Sequence, residues 1–547
     1  MSRPGVISFL IITLLFSVVL AEWSPDPAIN TPICDASDPQ VECKIVSAAD
    51  GSSYISWFDS ASDYDIQLQL MDARGNEQWA HNGITAADRN LSWVQDYGLD
   101  VDGLGRAVLA YRDESGGETL ILAQLIAADG TLLWGSGGVL ADMSATSFLA
   151  APETAATTDG HYVVAWSRDS DTVLQKYDSS GAAVWPAEVV LSNPGVETFS
   201  VSDIKASDNG GVIVSLISEV FLAYRHLYAQ KLDSDGNLVW GPSHVAVFDS
   251  GSLQMGNFPE FAVDGNGGAV FAWYEAASYL QSYVQHIRSD GTEAFPHNGV
   301  ALSIHPSQER VSPSAVYNQA TGEVFAFWVE ESMGESQRGV YGQKISDTGT
   351  REWSDYGIVV EPVDATLSSY VSAMPYGDGA YVFYLESLTG NEDHILGARL
   401  DSSGAIVCTA EVSIAAFNKG DLQVALGANG MALLAWADGR NSDSDIYGQN
   451  INPDCTPGII ASEVILYRST VADLSPGWKS SALPLTSSND DETNPPFPIT
   501  SSLGSTETDA IVTSDPLILY RVLGPGDVSC GNILRAVKTA LGVELTF

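Results

Sequence analysis

The stretch HLYAQKLDSDGNLVW, residues 226–240, decides how this chain is read. Alone, its Asp233-Ser-Asp235-Gly236 core offers two carboxylates in a turn, the beginning of a calcium loop. Its sisters point elsewhere. LILAQLIAADGTLLW (120–134), DTVLQKYDSSGAAVW (171–185), SYVQHIRSDGTEAF (282–295), GVYGQKISDTGTREW (339–353) and HILGARLDSSGAIVC (394–408) share one frame. In register stand Gln69, Gln124, Gln175, Gln230, Gln285, Gln343, Ala398 and Gln449, 51 to 58 residues apart. Six residues on come Gly75, Gly130, Gly181, Gly236, Gly291, Gly349 and Gly404. Four further on come Trp79, Trp134, Trp185, Trp240, Phe295, Trp353 and Cys408.

Each unit also holds an upstream apolar run opened by Gly, such as GNGGAVFAWYE (265–275) and GHYVVAWSRD (160–169). Short β-branched and aromatic runs bounded by Gly are strand signals. We read four strands per unit, the third ending near the Gln and the fourth carrying the Trp. Four-stranded units of this length, repeated, make a β-propeller. The fold expected is all-β: an eight-bladed propeller with a small β-rich C-terminal module. A metal site common to the repeats would keep its ligands, yet DARGNEQW (72–79) and DSSGAAVW (178–185) lack the second carboxylate. A turn needs only Asp to bond its own backbone and Gly for a positive φ. Asp233 and Asp235, with Asp100 and Asp102 of LDVDGLG (99–105), therefore remain only weak calcium candidates.

The eighth unit lacks its outer strand, since Cys455 stands six residues after Gln449 and no Trp follows. Trp23 precedes Gln69 by 46 residues, the interval of an outer-strand Trp to the next unit's Gln. Residues 23–36 are thus expected to complete blade eight and remove an open edge. MSRPGVISFLIITLLFSVVLA (1–21) has a basic start, an apolar core and a small-residue end, as an export signal does. The propeller should span 22–460 and the tail 461–547. Between strand-like EVILYRSTVADLS and DPLILYRVLGPG, residues 479–509 read as loop. In an exported protein cysteines pair, and Cys34–Cys43 and Cys408–Cys455 are the candidate pairs.

Acidic residues number 69 against 24 basic ones, a net charge of −45. This disfavours nucleic acid and anionic lipid, and no segment after the signal is apolar enough to span a membrane. We expect a secreted or cell-surface monomer. Glu275, Glu330 and Glu386, like Asp59, Asp113 and Asp438, recur after the second strand, which suggests a structural role. Arg112, Arg168 and Arg440 are expected to pair with Asp113, Asp169 and Asp438.

The Asp-Gly-Trp string departs in spacing from the sialidase Asp-box. It resembles the tryptophan-docking motif of eight-bladed quinoprotein propellers, with one residue fewer in the turn; Asp233, Gly236 and Trp240 match. The resemblance implies that Trp79, Trp134, Trp185, Trp240 and Trp353 lock neighbouring blades. That family's redox enzymes carry adjacent cysteines, which this chain lacks, so no quinone cofactor is expected. WADGRNSDSDIYGQ (436–449) is similar to repeats of exported bacterial proteins, a likeness covering about 23–455 that implies a propeller and no defined activity. LILYRV (517–522) and LRAVKTALGVELTF (534–547) weakly resemble pieces of fibronectin type III-like modules. The function expected is non-enzymatic binding or scaffolding of a protein or carbohydrate ligand, with no catalytic residues. The alternative is a polysaccharide hydrolase or lyase with carboxylates at the propeller mouth. The irregular stretches 217–226 and 330–339 are where a site would break the repeat.

Overall fold

The computed structural model describes residues 22–459, apart from 62, 92–96, 194, 196, 221–222, 277–278, 389–391 and 442, together with six backbone strands between 465 and 546. Residues 1–21, read as an export signal, and Cys530 lie outside the described residues. Strand β1 (Thr31–Cys34) comes first and is used last. Blade one runs from β2 (Gln40–Ser47) to β5 (Ile84–Ala87), and blade two from β6 (Gly98–Val101) to β9 (Val139–Ser144). Blade three is β10 (Leu149–Ala156) to β13 (Val189–Leu191), and blade four β14 (Thr198–Ala206) to β17 (Val245–Phe248). Blade five is β18 (Phe261–Val263) to β21 (Val300–Ala301), blade six β22 (Gln308–Asn318) to β25 (Ile358–Asp364), and blade seven β26 (Leu367–Tyr376) to β29 (Ile406–Phe417). Blade eight joins β30 (Lys419–Leu426), β31 (Ala432–Asp438), β32 (Asp445–Ile451) and β1. The fold is an eight-bladed β-propeller.

Second strands are sandwiched between neighbouring blades, so they read as apolar runs rather than alternations. All seven residues of β31 are buried. The interior is therefore a series of clusters, one in each gap between blades. One of them joins Trp240 and Val247 of blade four to Phe271 and Trp273 of blade five.

The repeat motif is an inter-blade joint. Asp233 accepts the backbone N–H of Asp235 (2.9 Å) and of Asn237 (2.8 Å), and Gly236 takes φ +83°. The Gln carboxamide then grips the loop that follows. Gln230 Nε2 donates to the Gly241 carbonyl (3.2 Å), and its Oε1 accepts the Trp240 backbone N–H (3.1 Å). Gln124, Gln285 and Gln343 hold Gly135, Pro296 and Ser354 in the same register. The gripped Trp reaches into the next blade. Trp79, Trp134, Trp185, Trp240 and Trp353 donate their indole N–H to the turn carbonyls of Ala128, Ser179, Ser234, Ser289 and Ser402, at 2.9 to 3.3 Å. The ring itself lies where the next turn's glycine has no side chain. A Cβ on Gly291 would stand 2.9 Å from Trp240, and one on Gly404 2.9 Å from Trp353. Gly130, Gly181 and Gly236 face Trp79, Trp134 and Trp185 in the same way, and Gly349 faces Phe295. One expectation needs correcting. Trp240 does not belong to the outer strand; it precedes β17 by several residues, because a wedge between blades must lie off the sheet edge.

Closure uses the same parts. β1 pairs antiparallel with β32, Thr31 opposite Gly448. Gln449 donates to the Ser24 carbonyl (2.7 Å), the residue after Trp23, as its sisters do within their own blades. Trp23 covers Gly75, where a Cβ would meet its ring at 2.6 Å. Buried Asn30 seals the seam, donating to the Val412 carbonyl (2.8 Å) and accepting from Ser413 (2.7 Å).

The joint between blades seven and eight is covalent. Cys408 and Cys455 form a disulfide with a Cα–Cα distance of 6.0 Å. They occupy the Trp and Gly positions of the repeat, and Cys455 keeps the left-handed backbone of that Gly, φ +67°. Cys34 and Cys43 are free, buried thiols, contrary to the expected pair. Cys34 ends the outer strand of blade eight, whereas Cys43 lies on the inner strand of blade one beside Asp421. Three strand spacings of about 4.8 Å separate inner from outer edge, far beyond disulfide reach.

The C-terminal unit is described by itself. It contains a four-stranded antiparallel sheet in the order β34-β33-β35-β36 and a hairpin β37-β38. Strands β33 (Ile465–Thr470) and β36 (Ile518–Val522) fall in the strand-like stretches, and β37 (Arg535–Thr539) and β38 (Gly542–Thr546) in the last fourteen residues. β34 (Leu483–Leu485) and the start of β35 (Glu507–Val512) fall in the stretch read as loop, where Leu-Pro-Leu was too short to stand out.

Candidate binding face

Antiparallel order puts the links from first to second strand and from third to fourth at one end of each blade. The Trp joints between successive turns place those ends together, as a turn face. Second-to-third links and blade-to-blade connections form the opposite, loop face. Loops on a rigid scaffold are where binding residues concentrate.

The acids that recur after the second strand are mostly frame parts of the loop face. Glu330 is 1% exposed; its Oε2 accepts the Trp328 indole N–H (2.5 Å), and Arg310 lies 3.5 Å from Oε1. Burial pushes its carboxyl up to about 7, against the pull of Trp328 and Arg310. Asp438, fully buried, accepts from Trp436 (2.9 Å) and from Arg440 (2.6 Å). Lys419 stands 3.9 Å from Asp438 and donates to the carbonyls of Asp393, Ala415 and Phe417. Burial lowers its ammonium to about 8, with Asp438 opposing. Arg89 is likewise engaged, donating to the Arg112 and Tyr64 carbonyls and stacking 4.6 Å over Phe58. Such perturbed groups mark active sites when a substrate can reach them. Here their polar atoms are turned toward the frame.

Two expected arginine pairs differ. Arg440 does bind Asp438, but Arg168 binds Asp142 (2.5 Å) and Glu188 (2.8 Å), and Arg112 reaches Glu114 (3.5 Å). Asp169 and Asp113 instead accept the backbone N–H of Phe148 and Asn90, because their short side chains cap the incoming connection.

The calcium candidates do not converge. Asp100 accepts the Ala156 N–H of the next blade's inner strand (2.8 Å), while Asp102 binds Arg106 (2.7 Å) and Tyr162 (2.6 Å). The Asp235 side chain is exposed, and Asp233 is occupied by its own turn. Among the described residues no group of three or more His, Cys, Asp or Glu is placed to hold a metal.

What the loop face leaves open is aromatic and acidic. Phe148, Phe258, Tyr279, Tyr370 and Phe417 are 43–59% exposed, and all lie on connections or strand ends of this face. Phe148 and Phe258 are each backed by a buried arginine, Arg112 (5.9 Å) and Arg225 (5.0 Å). Two cavities open here. One of about 750 Å³ runs from Asp63, Asp88 and Arg89 of this face to Leu132 and Ser136 on the third-to-fourth-strand link of blade two, and one of about 540 Å³ lies beside Phe417, Asp421 and Asp443. Residues 22–459 carry 59 acidic and 18 basic side chains. At least fifteen of the 18 are in ion pairs.

A second repeated device escaped the sequence reading. EQWAHNG (77–83) and EAFPHNG (293–299) are copies in blades one and five. His81 lies between Glu77 (2.7 Å) and Asp35 (2.9 Å), and His297 between Glu293 (2.9 Å) and Asp249 (3.0 Å). Each ties its blade to the end of the preceding outer strand. The signal was the shared His-Asn-Gly after the aromatic.

No family model and no curated protein matches the chain. Solved structures similar to it include a protein of unknown function from Dyadobacter fermentans, at 11% identity over 57% of this chain and 95% of that one, TM-score 0.33. A PL25 ulvan lyase, a polysaccharide lyase, aligns at 12% identity over 70% and 96%, TM-score 0.42. The Dos1 propeller aligns at 10% identity over 78% and 95%, TM-score 0.43.

Proposed function

We propose that this is an exported, non-enzymatic binding propeller that holds a protein or carbohydrate ligand on its loop face. One observation carries the reading. The loop-face groups with strongly displaced proton affinities, Glu330 and Lys419, are bonded into the frame, while the exposed side chains there are rigid aromatics. Aromatic side chains offer contact area at low entropic cost, and loop variation on a constant scaffold suits recognition.

A polysaccharide-cleaving enzyme is the second reading. It is favoured by Glu330, whose carboxyl near 7 suits general acid–base work. Tyr283 and Tyr341 lie close enough for their phenols to feel Arg310 and Glu330 respectively. A glycan array together with a polysaccharide-degradation screen on the exported chain decides between them. Array binding with no release of reducing or unsaturated ends is expected. Release that disappears in Glu330→Gln would establish the enzyme instead.

A further inference from the structure

From the cavity between blades seven and eight we infer a binding site for an amino sugar, a hexosamine unit carrying a free ammonium group. The inference rests on the binding reading above and names the ligand class.

The cavity, about 540 Å³, opens on the loop face between the end of blade seven and the beginning of blade eight. Its size falls within the range of small-ligand sites. A single lysine or arginine side chain would leave most of it empty, whereas one or two pyranose rings fit. Phe417 forms one wall and is 43% exposed. Tyr370, 47% exposed, brings its hydroxyl to within 3.9 Å of the Cβ position of Gly420, at the cavity's edge. Exposed aromatic faces of this kind stack on the C–H face of a sugar ring. They also attract a cation lying over the ring.

The charge selects the rest of the ligand. Asp421 and Asp443 line the cavity, and Asp443 is exposed. Two cations lie behind it, and both are committed. Lys419 Nζ is enclosed by three carbonyls with its side chain fully buried. Arg440 is spent on Asp438, the Ile29 carbonyl and Asn30, and stacks 3.9 Å over Tyr447. Asp393 and Asp438 offset these two cations from within. What faces a ligand is therefore carboxylate and aromatic ring. Asp421 Oδ2 already accepts the Glu42 backbone N–H (3.1 Å), so the exposed Asp443 carboxylate is the charge left for a ligand. A uronate or sulfated sugar would be repelled and a neutral one would leave Asp443 unused, whereas an ammonium at the sugar's 2-position satisfies it. The Ser444 side chain adds a polar group for a sugar hydroxyl.

The test is calorimetric titration of the exported full-length chain with a fully deacetylated glucosamine pentamer, its N-acetylated counterpart and pentalysine. The glucosamine pentamer should bind, more weakly as salt rises, and the acetylated one at least about tenfold less tightly. Phe417→Ala and Asp443→Asn should each weaken binding about tenfold. Both side chains are exposed, so melting temperatures should stay unchanged, which separates lost binding from lost fold. The inference is overturned if the glucosamine pentamer fails to bind, if both variants bind like the parent, or if pentalysine binds as tightly, which would point to a basic protein. A neutral glycan captured on the array while glucosamine fails overturns only this inference. Failure of every glycan and protein ligand overturns the binding reading as well.

Discussion

The two faces of the ring obey different rules. On the turn face one chemical sentence is repeated: Gln grips the loop, Trp crosses the gap, and Gly receives it. On the loop face the frame acids recur, as Glu330 and Asp438 do beside Trp328 and Trp436, but the connections share no length. The connection to the next blade is ten residues after blade one (88–97), twelve after blade four (249–260) and one after blade seven (Asn418). The difference teaches where each constraint acts. Turn-face residues must fit a neighbour built from the same sequence, so change is penalised in two blades at once. Exposed loop-face residues, unlike these frame acids, have only solvent or a ligand to satisfy.

If the turn face carries the ring, damage there should dominate stability. Deleting residues 22–36 removes Trp23, Asn30 and β1 together, and should lower the melting temperature by roughly 10 °C or more. An unchanged transition in scanning calorimetry would refute the closure described. Trp240→Ala leaves a hole between blades four and five and should cost about 3–5 kcal/mol in urea unfolding. Cys408→Ser should cost about 2–4 kcal/mol. If it costs nothing, the covalent joint is not equivalent to its aromatic counterparts.

The loop face makes a contrasting prediction through Glu330. Its carboxyl rises from 4.5 to about 7 on folding, so between those values the folded state holds a proton that the unfolded state has released. Stability contributed by this group therefore falls as pH rises from about 4.5 to about 7 and is flat above. Glu330→Gln should remove that slope and gain up to about 3 kcal/mol at pH 8 relative to pH 4.5, read by melting at both pH values. The smallest effect belongs to Trp240→Phe. Phe295 already packs over Gly349 one joint along, so the loss is confined to the Ser289 hydrogen bond and the packing of the larger indole, about 1–2 kcal/mol.

The sequence was informative wherever a residue's partner is another copy of itself. The spacing of Gln, Gly and Trp counted the blades, and Trp23 was visible as the missing piece because it stands at the repeat's interval before Gln69 while no Trp follows Gln449. Repetition did not say that the Trp lies off the outer strand, since both placements keep the same interval. Nor could adjacency in sequence tell that Cys34 and Cys43 sit at opposite edges of the wall. Phe417 and Asp443 were illegible for a deeper reason. They share a cavity only because a one-residue connection brings the end of β29 against the link between β31 and β32, and no repeat encodes that meeting.

The seal between Ser24 and Gln449 joins groups 425 residues apart. Contacts this distant in the chain form late, because a long loop must close before they return any stabilisation. The segment that leads the propeller in the chain therefore pairs only after the segment that ends it is in place. Until β32 exists, blade eight has no edge for β1 to pair with, and Gly75 waits for the ring of Trp23. Without β1 the edge of β32 stands unpaired, the form most prone to pair with another copy. A chaperone or a dilute compartment would matter most during that interval, and least once the circle has closed.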